Sequence, residues 1–251
     1  MQLPKYFMNK FLLLIIVLDC AASAKMSGHF YKVQGNVVDY GCSMSNSTTA
    51  EAGLDLSITC GSLCQRYVNC RFFCFIKSTG LCGMFTAYVA VRWPGHPAFA
   101  STTTYDACYT SWGDPRDIVK TNSPFTYSSN EMGSYPKYGT DGYACLTTPA
   151  YFSTLMTTNT FSQIDLEQTT RVQAVILVTA WIGLIQDMDV ILSNTSDYNL
   201  GQKIGRVNGI APAWSPYTIV TNTSTAGRYL TFFTAMYGFL GFAEVQVIPQ
   251  P

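Results

Sequence analysis

The sequence predicts a mainly β chain with a small α+β module toward the N-terminus, followed by a jelly-roll β-sandwich. Three observations carry this. Of the 9 cysteines, six crowd between Cys42 and Cys82, while Cys108 and Cys145 stand apart. Short runs rich in Val, Ile, Phe and Tyr recur, separated by turn residues, from Phe161 to the end of the chain. Charged residues make up only 12%, against many Tyr, Thr, Ser and Gly, a balance suited to a polar but weakly ionic β surface.

The first residues set the compartment. Lys5 and Lys10 precede the apolar run Phe11 to Leu18, and Ala22-Ser23-Ala24 follows. A basic start, a short apolar run and an A-x-A site describe a secretory signal peptide over residues 1–24. The alternative, a membrane anchor, needs roughly 20 apolar residues, more than this run supplies. Val172 to Ile185 and Tyr229 to Phe242 are also too short to span and read as buried strands, so no transmembrane span is expected. Without the signal segment the fifteen basic and fifteen acidic residues become thirteen and fourteen, with no basic stripe for nucleic acid. Cys20 leaves with that segment, and the eight remaining cysteines imply a disulfide framework in a secreted, extracellular protein. Sequons at Asn46, Asn194 and Asn222 are candidate N-glycosylation sites.

The first module is expected over residues 28–92. Ser57 or Thr59 is placed to cap a helix beginning near Cys60, and Cys60, Leu63, Cys64 and Tyr67 share one face of it. Arg71 to Ile76 is apolar on both faces, as in a strand covered on each side. Lys77-Ser78-Thr79-Gly80 turns the chain into a second strand, Leu81 to Phe85. The pattern Cys60-x3-Cys64-x5-Cys70-x2-Phe73-x-Phe75 followed by Cys82 resembles the PAN/apple family, whose helix is bonded to its central strands. The resemblance implies Cys60–Cys82 and Cys64–Cys70, which leaves Cys42–Cys74 as a third bridge. A zinc site is the competing chemistry, but six cysteines without nearby His in an oxidising compartment favour disulfides. PAN modules contact proteins or carbohydrates, and the pattern specifies no ligand.

The second module is expected over residues 93–250, with Trp93-Pro94-Gly95 as the junction and a loop-rich stretch after it. Strand candidates are Phe161 to Leu166, Val172 to Thr179, Met188 to Ser193, Tyr217 to Val220, Arg228 to Phe233 and Phe242 to Ile248. In the last, Ala243, Val245 and Val247 alternate with Glu244 and Gln246. The order of Pro97 to Thr102, Phe161-Ser162-Gln163-Ile164-Asp165-Leu166, Gly227-Arg228-Tyr229-Leu230 and Ala243-Glu244-Val245-Gln246-Val247 resembles the discoidin-like family (coagulation factor 5/8 type C) and the related F-type lectins. That resemblance implies a galactose-binding-like jelly roll whose ligands sit on loops at one end. Ala243 stands where many members have a cysteine, so Cys108–Cys145 is the expected bridge of this module. Fucose-binding members use one His and two Arg residues. Here His96 is the only histidine of the module, and Arg171 and Arg206 are present without the Arg-x-Asp pattern, so fucose recognition does not carry over.

The expected ligand residues are Trp112, Asp114, Arg116 and Tyr138, with Tyr135 and Tyr143 on the same rim. An aromatic face beside a guanidinium fork and a carboxylate suits a sugar, which stacks and takes directed hydrogen bonds. The competing and favoured reading is local packing, with Trp112 under its loop and Arg116 paired to Asp114 or Asp117. Asp114 and Asp117 offer carboxylates to Ca2+, too few to call for the ion, and no other metal or cofactor is expected. Trp181 and Trp214 read as packing residues. Related lipid-binding domains do project apolar side chains from such loops, so peripheral lipid contact stays in view for Trp214. Catalysis is not expected: His29 and His96 are the only histidines, and no nucleophile elbow, H-E-x-x-H or phosphate loop occurs. Asp165 and Glu244 fall in expected strands and read as structural. The resemblances imply a binder of glycans or extracellular glycoproteins, in adhesion or innate defence. The rivals are a structural matrix or secretion component and a phospholipid-binding module.

Overall fold

A computed structural model describes residues 29–44, 48–49, 55–96, 102–146, 150–181, 185–221 and 224–251. The signal segment, the sequons at Asn46 and Asn222, and residues 97–101 of the discoidin-like opening segment lie outside the described residues.

The first part of the chain forms β1 (Tyr31–Lys32), β2 (Val37–Asp39), β3 (Thr48–Thr49), helix α1 (Leu56–Arg66), β4 (Phe72–Ile76), β5 (Leu81–Phe85), β6 (Tyr88–Val89), β7 (Thr102–Thr104) and β8 (Ala107–Thr110). Helix α1 starts before the expected cap. Its N-cap is Asp55, whose carboxylate accepts from Ser57 N at 2.9 Å, so neither Ser57 nor Thr59 caps it. The face with Cys60 and Cys64 is buried against β4 and β5. Strand β4 alternates as a two-sided strand must: Phe73 and Phe75 face the helix, while Phe72 and Cys74 face a second core with Phe85, Trp93 and Tyr143. Each such aromatic, fully buried, contributes roughly 1.5–3 kcal/mol of hydrophobic stabilisation.

The sheet order is β1-β8-β4-β5-β3, all antiparallel where paired. Strand β8 lies inside it, between β1 and β4, so a division at residues 92/93 cuts through this sheet. Trp93 is no linker residue either. Its ring packs edge-on against Phe72 at 5.5 Å and stacks on Tyr143 at 5.4 Å.

The register decides the disulfides. Cys74 and Cys108 are direct partners on β4 and β8, with Cα atoms 4.0 Å apart, and they are bonded. Cys42 is bonded to Cys145, its Cα 6.0 Å away. The expected Cys42–Cys74 and Cys108–Cys145 pairs are therefore incorrect, because pairing of β8 with β4 consumes Cys74. The helix carries Cys60–Cys82 and Cys64–Cys70.

The second part is a two-sheet sandwich. It comprises β9 (Phe125–Tyr127), β11 (Phe152–Ser153), β12 (Thr160–Thr179), β13 (Gln186–Ser193), β14 (Gln202–Ile210), β15 (Pro216–Val220), β16 (Ala226–Thr234) and β17 (Gly241–Pro249), while β10 (Tyr143–Ala144) pairs with β6 outside it. The expected strands 161–166 and 172–179 are one element, β12, whose register breaks between Asp165 and Thr170 and whose Glu167 has φ +60°. Before the break β12 lies between β9 and β16, and beyond it between β15 and β17. One strand thus serves both sheets, and Val175, Leu177, Val190, Leu230, Phe232, Phe242 and Val245 fill the core between them.

Two sequence motifs meet across this ladder. Arg228 Nε and Nη2 donate to Asp165 Oδ1 and Oδ2, each at 2.7 Å, and this fork holds the Asp165 carboxyl below its usual range. No helix among the described residues is long and apolar enough to cross a membrane.

Candidate functional site

Two ends of the sandwich differ in chemistry. At one end lie the segments 154–159, 211–215 and 235–240, with Ala180, Trp181 and Ile185 of the 180–185 connection. No Asp, Glu, Lys, Arg or His occurs in these four stretches of sequence, in a chain that is 12% charged. Backbone hydrogen bonds tie them in two pairs. Thr157 and Gly238 exchange both bonds, Thr154 N donates to Leu240 O at 2.9 Å, and Trp214 N donates to Ala180 O at 2.9 Å. Thr179 Oγ1 donates to Pro212 O and accepts from Ser215 N. The opposite end carries the Lys120–Glu167 and Arg228–Asp165 ion pairs and the exposed sequon residue Asn194.

The uncharged end exposes large apolar side chains. Trp181 is 49% exposed and Tyr237 65%, with Leu155, Met156 and Met236 beside them in the neighbouring segments. Trp181 packs edge-on against Trp214 at 6.1 Å. Trp214 is held at φ +49°, a left-handed conformation that costs a bulky residue about 1–3 kcal/mol. Its indole N–H is buried without a partner, as is that of Trp112. Trp112, Trp214, Tyr151 and Phe239 pack on one cluster with Tyr88, Val178 and Ala180, so Trp112 belongs to the floor of this rim.

The expected ligand residues do not converge. Trp112 packs edge-on against Tyr88 at 5.6 Å, at the Val178 level of β12. Arg116 donates to Gln173 at 3.1 Å, five residues back along the strand, which is about 16 Å at the strand rise. Arg116 also forms a bidentate pair with Asp114, at 3.1 and 2.8 Å, and this pair holds the Asp114 carboxyl low. The packing alternative therefore describes Asp114 and Arg116. Tyr138 pairs edge-on with Tyr135 at 5.7 Å under Lys137, while Tyr143 is buried against Trp93 and His96, away from any rim.

Nor do Asp114 and Asp117 frame a calcium site. Asp117 is committed to Arg92, Val119 N and Val247 N, and among the described residues no group of three or more His, Cys, Asp or Glu is placed to hold a metal.

The rim was missed because its residues read as strand. The apolar stretches 172–185 and 229–242 outrun their strands, which end at Thr179 and Thr234. Trp181, Met236 and Tyr237 are the excess. An apolar run longer than its strand was the available signal.

No protein-family model matches the chain, and no curated protein matches it. Solved structures similar to it include the lectin domain of lectinolysin complexed with Lewis B antigen. That likeness has 21% identity and a TM-score of 0.46, and covers 55% of this chain and 99% of that one. A Streptococcus pneumoniae fucose-binding module is similar at 18% identity and TM-score 0.44, covering 53% and 95%. A family 32 carbohydrate-binding module from C. perfringens, in complex with galactose, is similar at 13% identity and TM-score 0.43, covering 53% and 97%.

Proposed function

We propose that the chain is a secreted, non-catalytic recognition protein that binds glycans or extracellular glycoproteins through the aromatic rim, in adhesion or innate defence. One observation carries this reading. The half-exposed ring of Trp181, backed by strained Trp214, and that of Tyr237 stand at one end of the sandwich, in loops tied in two separate pairs by main-chain hydrogen bonds. Fixed aromatic faces stack on the apolar faces of sugar rings with little entropy left to lose. Trp112 contributes as part of the floor and Tyr138 as a flanking ring, while Asp114 and Arg116 stand outside the site. Four buried disulfides support an oxidising compartment. The helix bonded to a strand hairpin supports the PAN/apple reading of the N-terminal part, and the two-sheet sandwich supports the discoidin-like one. The non-catalytic reading is supported by Glu244, whose side chain is fully buried and committed to Arg92, Gly142 N and Val245 N.

A second reading, peripheral lipid contact, is favoured by the lack of charge in the four segments, since Trp, Tyr and Met are suited to a membrane interface. A glycan array and neutral liposomes, probed with the secreted protein and with Trp181→Ala/Tyr237→Ala, separate the two. Glycan binding that falls at least about tenfold in the variant supports the proposal. Glycan binding unchanged by the variant removes the rim, liposome binding alone favours the lipid reading, and no binding favours a matrix component.

A further inference from the structure

The turn after β13 carries a motif that recognition by the rim does not use. Strand β13 ends at Ser193, and Asn194-Thr195-Ser196 leads from it into a short 3-10 turn at Tyr198–Leu200. The triplet is an N-x-S sequon whose middle residue is Thr, not the Pro that would spoil it. All three of its residues are exposed.

The turn is held in place without the groups that define the sequon. Ser193 Oγ donates to Thr195 O, and Gln163 Nε2 donates to Ser196 O at 3.1 Å. Asp197 Oδ1 accepts from Asn199 N at 3.0 Å and opens the 3-10 turn. Tyr198 then packs on Phe161 and Phe233, with ring centroids 5.2 and 5.4 Å away, on the sheet face opposite the core residue Phe232. An asparagine at a turn commonly bonds its own backbone two residues on. Asn194 does not. Among the described residues, neither its amide nor the Ser196 hydroxyl is engaged in a hydrogen bond. The acceptor nitrogen and the hydroxyl two positions after it are therefore both free, on a backbone that is fixed.

We propose that Asn194 is an N-glycosylation site, so that one end of the sandwich carries an oligosaccharide and the other the aromatic rim. The proposal rests on the secreted reading, since the modification belongs to the export route that also forms the disulfides. In the reaction the Asn194 amide nitrogen attacks the anomeric carbon of an oligosaccharide held on a lipid pyrophosphate. The carbon–oxygen bond to the pyrophosphate breaks, the nitrogen–carbon bond forms, and the amide gives up one proton. No oxidation or reduction occurs. A sugar chain has to stay in water, because burying its hydroxyls without partners is costly, and the exposed turn meets that need in the folded protein. Its position also leaves the rim open. Trp181 precedes the start of β13, and the strand carries the chain about 24 Å from Gln186 to Ser193. The oligosaccharide stands instead at the end that holds the Arg228–Asp165 pair.

The test is expression of the full chain, with its own N-terminal segment, in a eukaryotic secretory cell, followed by peptide mapping of the protein in the medium. Release by peptide N-glycosidase in heavy-oxygen water turns each glycosylated Asn into labelled Asp, so the Asn194 peptide is read separately from those of Asn46 and Asn222. In the unaltered protein most of the Asn194 peptide carries the label. Ser196→Ala keeps the asparagine and loses the label, while Ser196→Thr keeps both. Secreted protein with an unlabelled Asn194 peptide, or label retained in Ser196→Ala, overturns the site and leaves the secreted reading standing. A chain that stays in the cytosol with reduced cysteines overturns both.

Discussion

Replacing Cys42 and Cys145 together by Ser should cost the fold about 4 kcal/mol. The bond joins residues 103 apart in sequence, the longest separation among the four. Cys74–Cys108 and Cys60–Cys82 shorten the loop it closes, but the entropy of closure depends only on the logarithm of loop length, and about 65 residues still gives about 4 kcal/mol. Both cysteines are nearly fully buried, so the hydroxyls left behind find no water and add to the loss. For a chain of this size the melting temperature should fall by roughly 8–16 °C. The assay is thermal unfolding of the purified double variant beside the wild type, with peptide mapping of the wild type under non-reducing conditions. A loss below about 1 kcal/mol would refute the loop-closure reasoning. A peptide joining Cys42 to Cys74 would refute the pairing itself.

Other consequences are narrower. Phe242 is fully buried against Phe125, Phe152 and Phe232, so Phe242→Ala should cost about 3–5 kcal/mol by urea unfolding. Asp55→Ala removes the cap of α1 and should show as faster amide exchange at Ser57 and Ile58 with the sandwich unaffected. Asp165 stabilises the fold in a pH-dependent way. Its carboxyl is held low by Arg228, so its contribution is present above the ordinary carboxylate range and is lost as pH falls. Asp165→Asn should therefore flatten part of the acid limb of the stability profile, by under about 1 kcal/mol because Arg228 is solvent-exposed.

Local pattern made much of the fold legible. The six strand candidates of the sandwich lie within observed strands, and those of the β4–β5 hairpin match theirs to within one residue, since period-2 burial is written directly into such segments. Asp165 and Arg228, drawn from two separate motifs, meet in one ion pair. What was not legible depended on long-range register. Nothing within Ala107-Cys108-Tyr109-Thr110 says that it pairs with β4, yet that pairing decides two disulfides and the extent of the first sheet. The site suffered similarly. Trp112 and Arg116 are near in sequence, but the segment runs alongside β17 and sets them apart, while Trp181 and Trp214 are brought together only by the closing of the sandwich.

The two inverted polarity patterns have a single cause. On β17 the polar positions Glu244 and Gln246 are buried, because that face of the sheet receives the Arg92 segment and the loop bearing Asp114 and Asp117. At the end of the sandwich apolar positions are exposed, because the strands stop at Thr179 and Thr234 while the apolar run continues. A sheet face covered by the rest of the chain is unavailable for recognition, and the far end carries ion pairs and the Asn194 sequon. The uncharged loop end is then the part of the sandwich with both exposed aromatic area and preset backbone. The proposal that this end is a contact surface rests on that division of the sandwich.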